Sequence, residues 1–281
     1  MMFASDGSRY LGRRERFVMR MMASLRKRLH VMVDICDRAH PTRYVCETAM
    51  DAQRPLSLWI KEAGTMAWIE AEVRPGDVFM DIGANIGIYS LAAAMRMGGE
   101  GIVYAFEPHK VNALALLKNV AANGLQERVR VVSCALSDSE GMLDFNYQAL
   151  GSASSASQFG HRRVPGSGDD FVPVASELVY GSRVDHLVET GAVRAPTLVK
   201  IDVDGNELAI LRGMAGLLRG PERPRAVQVE LNAGEHDAIT AFMADCGYAL
   251  SSRHDTHEGA KARARGDAPA TIAHNAIFVP E

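Results

Sequence analysis

Apolar and polar positions along this chain alternate between two periods. Val78–Ile82, Ile102–Phe106 and Val129–Cys134 are short, nearly continuous apolar runs of strand length. Ile86–Met97 follows the first and Val111–Asn123 the second, both with helical spacing. Further on, Thr197–Ile201 and Ala226–Leu231 read as strands, Glu207–Arg212 and 235–245 as helices, and Gly247–Ser251 and Ile272–Val279 as closing strands. This order predicts an α/β fold with a mainly parallel sheet and right-handed crossovers. Ligands of such sheets bind beyond the carboxyl ends of the strands, so the crevice is expected after Ile82, Phe106 and Cys134.

Upstream, residues 13–35 mix Met, Leu, Val and Ile with Arg and Lys at near-helical spacing, which predicts an amphipathic helix with a basic face. That helix either packs on the rest of the chain or meets a membrane surface or partner. A second helix is expected over 57–73, stopping before Pro75 and Gly76. Residues 1–70 thus read as a helical extension and 71–281 as the main domain. Inside the latter, Met142–Tyr147 alternates like a strand. Gly151–Ser157 and Pro165–Asp170 are rich in Gly, Ser, Ala and Asp, so 151–182 is expected to be a loop insertion, either over the crevice or in solvent. The histidine-containing basic stretch from His254 to Arg265 matches no metal-ligand spacing and is expected to be a solvated hairpin tip.

Composition changes this picture little. The 281 residues are 47% hydrophobic and 23% charged, as in ordinary soluble proteins, and a net charge of −3 gives no general pull toward nucleic acid. Cys36, Cys46, Cys134 and Cys246 form no paired motif, and no run approaches the ~18 apolar residues of a membrane span, so a cytoplasmic protein with no membrane span is expected.

The candidate chemistry begins at Asp81-Ile-Gly83-Ala-Asn85-Ile-Gly87, where a buried strand runs into a glycine turn and then a helix. The glycines can turn sharply and leave bare backbone for a ligand, and a helix N-terminus favours anionic groups there. Glu107, followed by Pro108, stands at the tip of the next strand and can accept two ribose hydroxyl hydrogen bonds. A nicotinamide cofactor would use the same carboxylate. Its G-x-G-x-x-G turn is absent, however, and an anionic Asp81 beside the turn suits a cofactor bearing an amine and a sulfonium, S-adenosylmethionine. At the later strand ends, Asp202 can orient or deprotonate a hydroxyl. Alternatively, Asp202 and Asp204 pair with Lys200 and cap the helix near Glu207. Glu230 ends the next strand on the same rim and could share a divalent ion with Asp202. His236 is a further candidate base, or a surface helix residue.

Asp81–Ser90, Phe106-Glu107-Pro108, Ala135–Asp138, the run Lys200–Glu207 and Asn275–Val279 together resemble the FkbM family of methyltransferases over roughly residues 70–280. Asp204 and Asn206 stand where that family's run has glutamate and alanine. The resemblance implies a class I methyltransferase, Rossmann-like sheet of seven strands with the last antiparallel. It also implies methylation of a hydroxyl on a sugar or other small-molecule acceptor. Carried over, Asp81, Gly83, Asn85 and Gly87 hold the amino-acid part of the cofactor, Glu107 with Pro108 the ribose, and the Ala135 region the adenine. Strand-end packing is the alternative for Ala135. Lys200, Asp202 and Glu230 are the catalytic candidates. A second function class is a silent binding or scaffold protein acting through the basic N-terminal helix.

Overall fold

The computed structural model describes residues 21, 31–36, 41–61, 63–163, 169–232, 234–266 and 272–281. Apart from Met21, residues 13–30 of the expected basic helix lie outside that range. Its end does not continue as helix: Val31–Cys36 is strand β1, paired antiparallel with β2, Pro41–Cys46. The helix expected over 57–73 is two helices, α1 (Ala49–Lys61) and α2 (Ala63–Glu72). The start of α1 is fixed by reciprocal capping. Asp51 Oδ2 accepts from the Glu47 and Thr48 amides, and Thr48 Oγ1 accepts from the Asp51 amide.

The alternation read from the sequence follows: β3 (Val78–Ile82), α3 (Ile88–Arg96), β4 (Ile102–Phe106), α4 (Lys110–Ala122) and β5 (Val129–Val132). Short β6 (Ala135–Leu136), β7 (Gly141–Tyr147), β8 (Gln158–Phe159) and β9 (Ala175–Ser182) form a separate four-stranded sheet in the order β6-β9-β7-β8. The expected insertion at 151–182 is therefore only partly loop. β9 pairs with β7 along its whole length, from Gly141 opposite Gly181 to Tyr147 opposite Ala175. After β9 come α5 (Val184–Glu189), β10 (Leu198–Ile201), α6 (Glu207–Arg212), α7 (Ala215–Arg219), β11 (Ala226–Leu231), α8 (His236–Asp245) and β12 (Tyr248–Asp255). The predicted hairpin tip is a helix, α9 (His257–Arg265), capped by Thr256 Oγ1 on the Gly259 amide and ended by left-handed Gly266. Strand β13 (His274–Pro280) closes the chain.

The main sheet has seven strands in the order β12-β13-β11-β10-β3-β4-β5, and β13 runs against both its neighbours while β11, β10, β3, β4 and β5 are mutually parallel. Both faces are covered, which is why these strands read as continuous apolar runs. Phe79, Val103, Ala105 and Leu198 face a cluster with Leu58, Met66, Trp68 and Leu91 from α1–α3. The alternate residues Met80, Tyr104, Val199 and Val227 face Ile210, Leu218 and Met243 from α6–α8. No described helix is long and apolar enough to cross a membrane.

The strand ends are level. Ile82 stands opposite both Phe106 and Ile201, and the Gly83 and Ala84 amides both donate to the Phe106 carbonyl at 3.0 Å. The Asp202 amide donates to the Ile82 carbonyl at 3.1 Å and the Glu107 amide to the Val132 carbonyl at 3.0 Å. These bonds put the turns after β3, β4, β5 and β10 on one rim.

Candidate active site

A cavity of about 440 Å3 opens on that rim. Its lining includes Gly83, Asn85, Glu107, Pro108, Ala135, Asp202 and Glu230, so seven of the residues singled out from the sequence meet at one place. Asp81, Gly87 and Lys200 do not line it.

The turn after β3 is shaped by three left-handed residues, Gly83 (φ 79°), Asn85 (φ 51°) and Gly87 (φ 90°). The glycines make the sharp turn expected of them, and their missing side chains also let other segments approach closely. A Cβ on Gly83 would lie 1.9 Å from the Asp202 carbonyl oxygen, and one on Gly87 would lie 2.1 Å from Leu116 Cδ1. The bare backbone thus admits neighbouring protein at both positions, and Gly83 also borders the cavity. Asn85 tolerates its left-handed backbone because its own Oδ1 accepts from the Ile86 amide at 2.9 Å.

Glu107 is buried, with one backbone donor on each carboxyl oxygen: the Asn85 amide on Oε2 at 2.7 Å and the His109 amide on Oε1 at 2.8 Å. Both oxygens keep acceptor capacity. Burial pushes this carboxyl up to about 7, against the pull of the two amides. Ala135 packs against Phe145 in the small sheet's core and lines the cavity beside Cys134 and Leu136.

Asp81 sits behind the wall. It accepts from Ser90 Oγ at 2.6 Å and faces Lys200 Nζ at 3.3 Å, so it anchors α3 to β3 instead of reaching into the cavity. Lys200 is buried between Asp81 and Asp202, also 3.3 Å from the latter, with Tyr89 beneath it, the ring centroid 4.6 Å from Nζ. Burial favours loss of its proton, but the Asp202 and Asp81 charges outweigh this and hold it above the ordinary lysine value.

Asp202 and Glu230 both line the cavity. Burial works against the Asp202 charge, yet the Lys200 charge, with Glu230 beside it, leaves it below the usual carboxylate range. Burial and the charge of Asp202 push Glu230 well above it. Among the described residues no group of three or more His, Cys, Asp or Glu side chains is placed to hold a metal. The capping alternative is met in part. Lys200 pairs with Asp202, but Asp204 Oδ2 accepts from the Ala156 amide at 2.7 Å, and α6 starts at Asn206 without a side-chain cap. His236 packs edge-on against His274, with ring centroids 4.6 Å apart, and does not line the cavity.

Several lining residues escaped the sequence reading. One face of α1 contributes Gln53, Arg54, Ser57, Leu58 and Lys61, whose i, i+1, i+4, i+5, i+8 spacing is a signal that could have been read. The loop between β7 and β8 crosses the cavity and is tied down from several sides. Ser154 O accepts from Asn85 Nδ2 at 2.8 Å and Asn112 Nδ2 at 2.9 Å, and His109 Nε2 bonds Ala149 O at 2.9 Å.

A sheet of seven strands with only β13 reversed, a glycine turn after its central strand and a carboxylate at the next strand tip define a Rossmann-like fold of the class I methyltransferase kind. The sequence profile described as the methyltransferase FkbM domain matches residues 81–250, more than half the chain, and the chain belongs to that family. It is 30% identical over 163 residues to the hexuronic acid methyltransferase AglP of Haloferax volcanii, a match that covers 58% of this chain and 59% of that protein's length. It is 29% identical over 209 residues to the 31-O-demethyl-FK506 methyltransferase FkbM of Streptomyces tacrolimicus, covering 66% of this chain and 77% of the relative. Among solved structures, methyltransferase FkbM from Methylobacillus flagellatus superposes with a TM-score of 0.48 at 15% identity, over 79% of this chain and 47% of that one.

Proposed function

We propose that this chain is an S-adenosylmethionine-dependent O-methyltransferase acting on a hydroxyl of a sugar or other small natural product. The observation that carries the reading is Glu107, a buried carboxyl on the cavity wall with one backbone donor per oxygen and room for a diol. Asn85 and the turn from Gly83 border the amino-acid end of the cofactor, and Cys134, Ala135 and Leu136 offer a mainly apolar wall to its base. When bound, the cofactor supplies a methyl group on a sulfonium. The names of the two curated relatives point to a hexuronic acid and to a 31-O-demethyl compound as acceptors, which favours oxygen as the target.

Asp202 is the catalytic residue of this proposal. Its side chain is about a third exposed on the cavity wall. A carboxylate held below its usual range is a weak base but a dependable acceptor. Its main effect is therefore to orient the hydroxyl for in-line attack, with the proton passing to the Asp202–Glu230 pair as charge leaves the oxygen. Lys200 positions Asp202 and keeps it ionised.

Transfer of labelled methyl to a panel of uronic acids, neutral sugars and hydroxylated macrocycles tests this. Asp202→Asn is expected to lower the rate by about 10²–10⁴-fold. Glu230→Gln, which leaves the Asp202 carboxylate and its Lys200 partner in place, should retain most of it. Full turnover in Asp202→Asn would remove Asp202 from the mechanism.

A further inference from the structure

The wall of this cavity is strongly acidic, with Glu107, Asp202, Asp204 and Glu230 all lining it. Adenosylmethionine ends in an amino acid whose carboxylate finds no counter-charge among these four groups. Arg54, on the cavity face of α1, sets a cation against these acids, and its charge is felt at Glu107, Asp202 and Asp204.

Its guanidinium is pre-oriented. Nε donates to the Ala153 carbonyl at 2.9 Å, and Ala153 is fully buried in a left-handed conformation. The next carbonyl, that of Ser154, is held by Asn85 and Asn112. Arg54 is thus tethered one peptide away from the glycine turn, while its two terminal nitrogens hold no hydrogen bond to a described residue. A planar fork with one nitrogen fixed and two donors free suits bidentate capture of a carboxylate.

We propose that Arg54 grips the carboxylate of the cofactor's amino-acid end. The inference rests on the cofactor reading above and extends it to a residue outside the family-matched segment, which begins at residue 81. It also gives α1 a role in the site: the helix sets a counter-charge on the cavity wall, which Lys200 of β10 does not line.

The test is calorimetric titration with adenosylhomocysteine and with its decarboxylated analogue, which keeps the nucleoside, thioether and amine. The native protein should prefer the acid by about 10–100-fold, the size of a hydrogen bond to a charged group. Arg54→Gln should erase that preference by weakening only the acid. Arg54→Lys, which keeps the charge without the fork or the tether, should recover part of it. No preference in the native protein, or a preference that survives Arg54→Gln, overturns the proposal. Equal weakening of both ligands overturns it too, since Arg54 would then act only by holding the 153–154 loop. If neither ligand binds the native protein, the cofactor reading itself has failed.

Discussion

At Gly83 the backbone after β3 passes so close to the turn after β10 that a single methyl group would lie 1.9 Å from the Asp202 carbonyl oxygen. Gly83→Ala therefore does two things. It places a side chain at φ 79°, costing roughly 1–3 kcal/mol, and it pushes the backbone that carries Asp202. Both a lowered denaturation midpoint and a loss of methyl transfer are expected, whereas Gly98→Ala, which meets nothing within 4 Å, should leave transfer intact. Equal transfer in the two variants would show that the Gly83 contact does not position Asp202. The need for glycine at residue 83 was legible in the sequence; the partner that demands it was not, because it lies 119 residues away on another strand end. Asp81 lies off the cavity for a reason of the same kind. It is one residue short of the strand tip and shares the face of Phe79, so alternation turns it under α3 toward Ser90 and away from the crevice.

Among the elements, β3 is anchored at its far end as firmly as at its functional one. Arg225 forks onto Asp77 with contacts of 2.7 and 2.6 Å, Thr197 Oγ1 donates to Asp77 at 2.9 Å, and the Arg74 amide adds a 2.7 Å bond. These donors outweigh burial and hold the Asp77 carboxyl below its ordinary value. The stability it contributes is therefore present above the unfolded carboxylate range and is lost as pH falls through the lower folded value. Asp77→Ala should cost about 1.5–3 kcal/mol in denaturant unfolding near neutral pH, with the difference from the native protein shrinking in acid. A constant difference down to acid pH would contradict the assigned role. Strands buried on both faces were the elements most readable from sequence. β9 was missed because Leu178 and Tyr180 face solvent while Val179 is buried, so its pattern carries no polar face. α9 was missed because its alternating Ala, Lys and Arg residues lack an apolar stripe, and the capping Thr256 was the only start signal.

At the scale of the molecule, the helices placed by sequence in the extension belong to the same body as the sheet. Leu58, Met66, Trp68 and Ile69 share one core with Phe79 and Leu91, and α1 closes one side of the cavity. The fold class and the rim were legible in the chain's periodicity, and so were Gly83, Glu107, Asp202 and Glu230, because strand-end positions follow from strand boundaries; Asn85, Pro108 and Ala135 came with the family resemblance. The residues of α1 were not, because what brings them to the rim is packing between distant segments; for the insertion the sequence left a place over the crevice or in solvent, and Ser154–Ser157 take the first. The central claim is that the rim holds a nucleoside through Glu107. Burial sets that carboxyl at about 7 in the free protein, and binding a diol favours its ionised form, so binding below that value releases a proton. Titration of adenosylhomocysteine, repeated in buffers of different ionisation enthalpy, measures this directly. One molecule per chain should bind with proton release near pH 6 and an affinity that rises toward about pH 8. Glu107→Gln should bind about 10–100-fold more weakly with no pH dependence. No binding by the native protein, or an unchanged affinity in Glu107→Gln, would contradict the account.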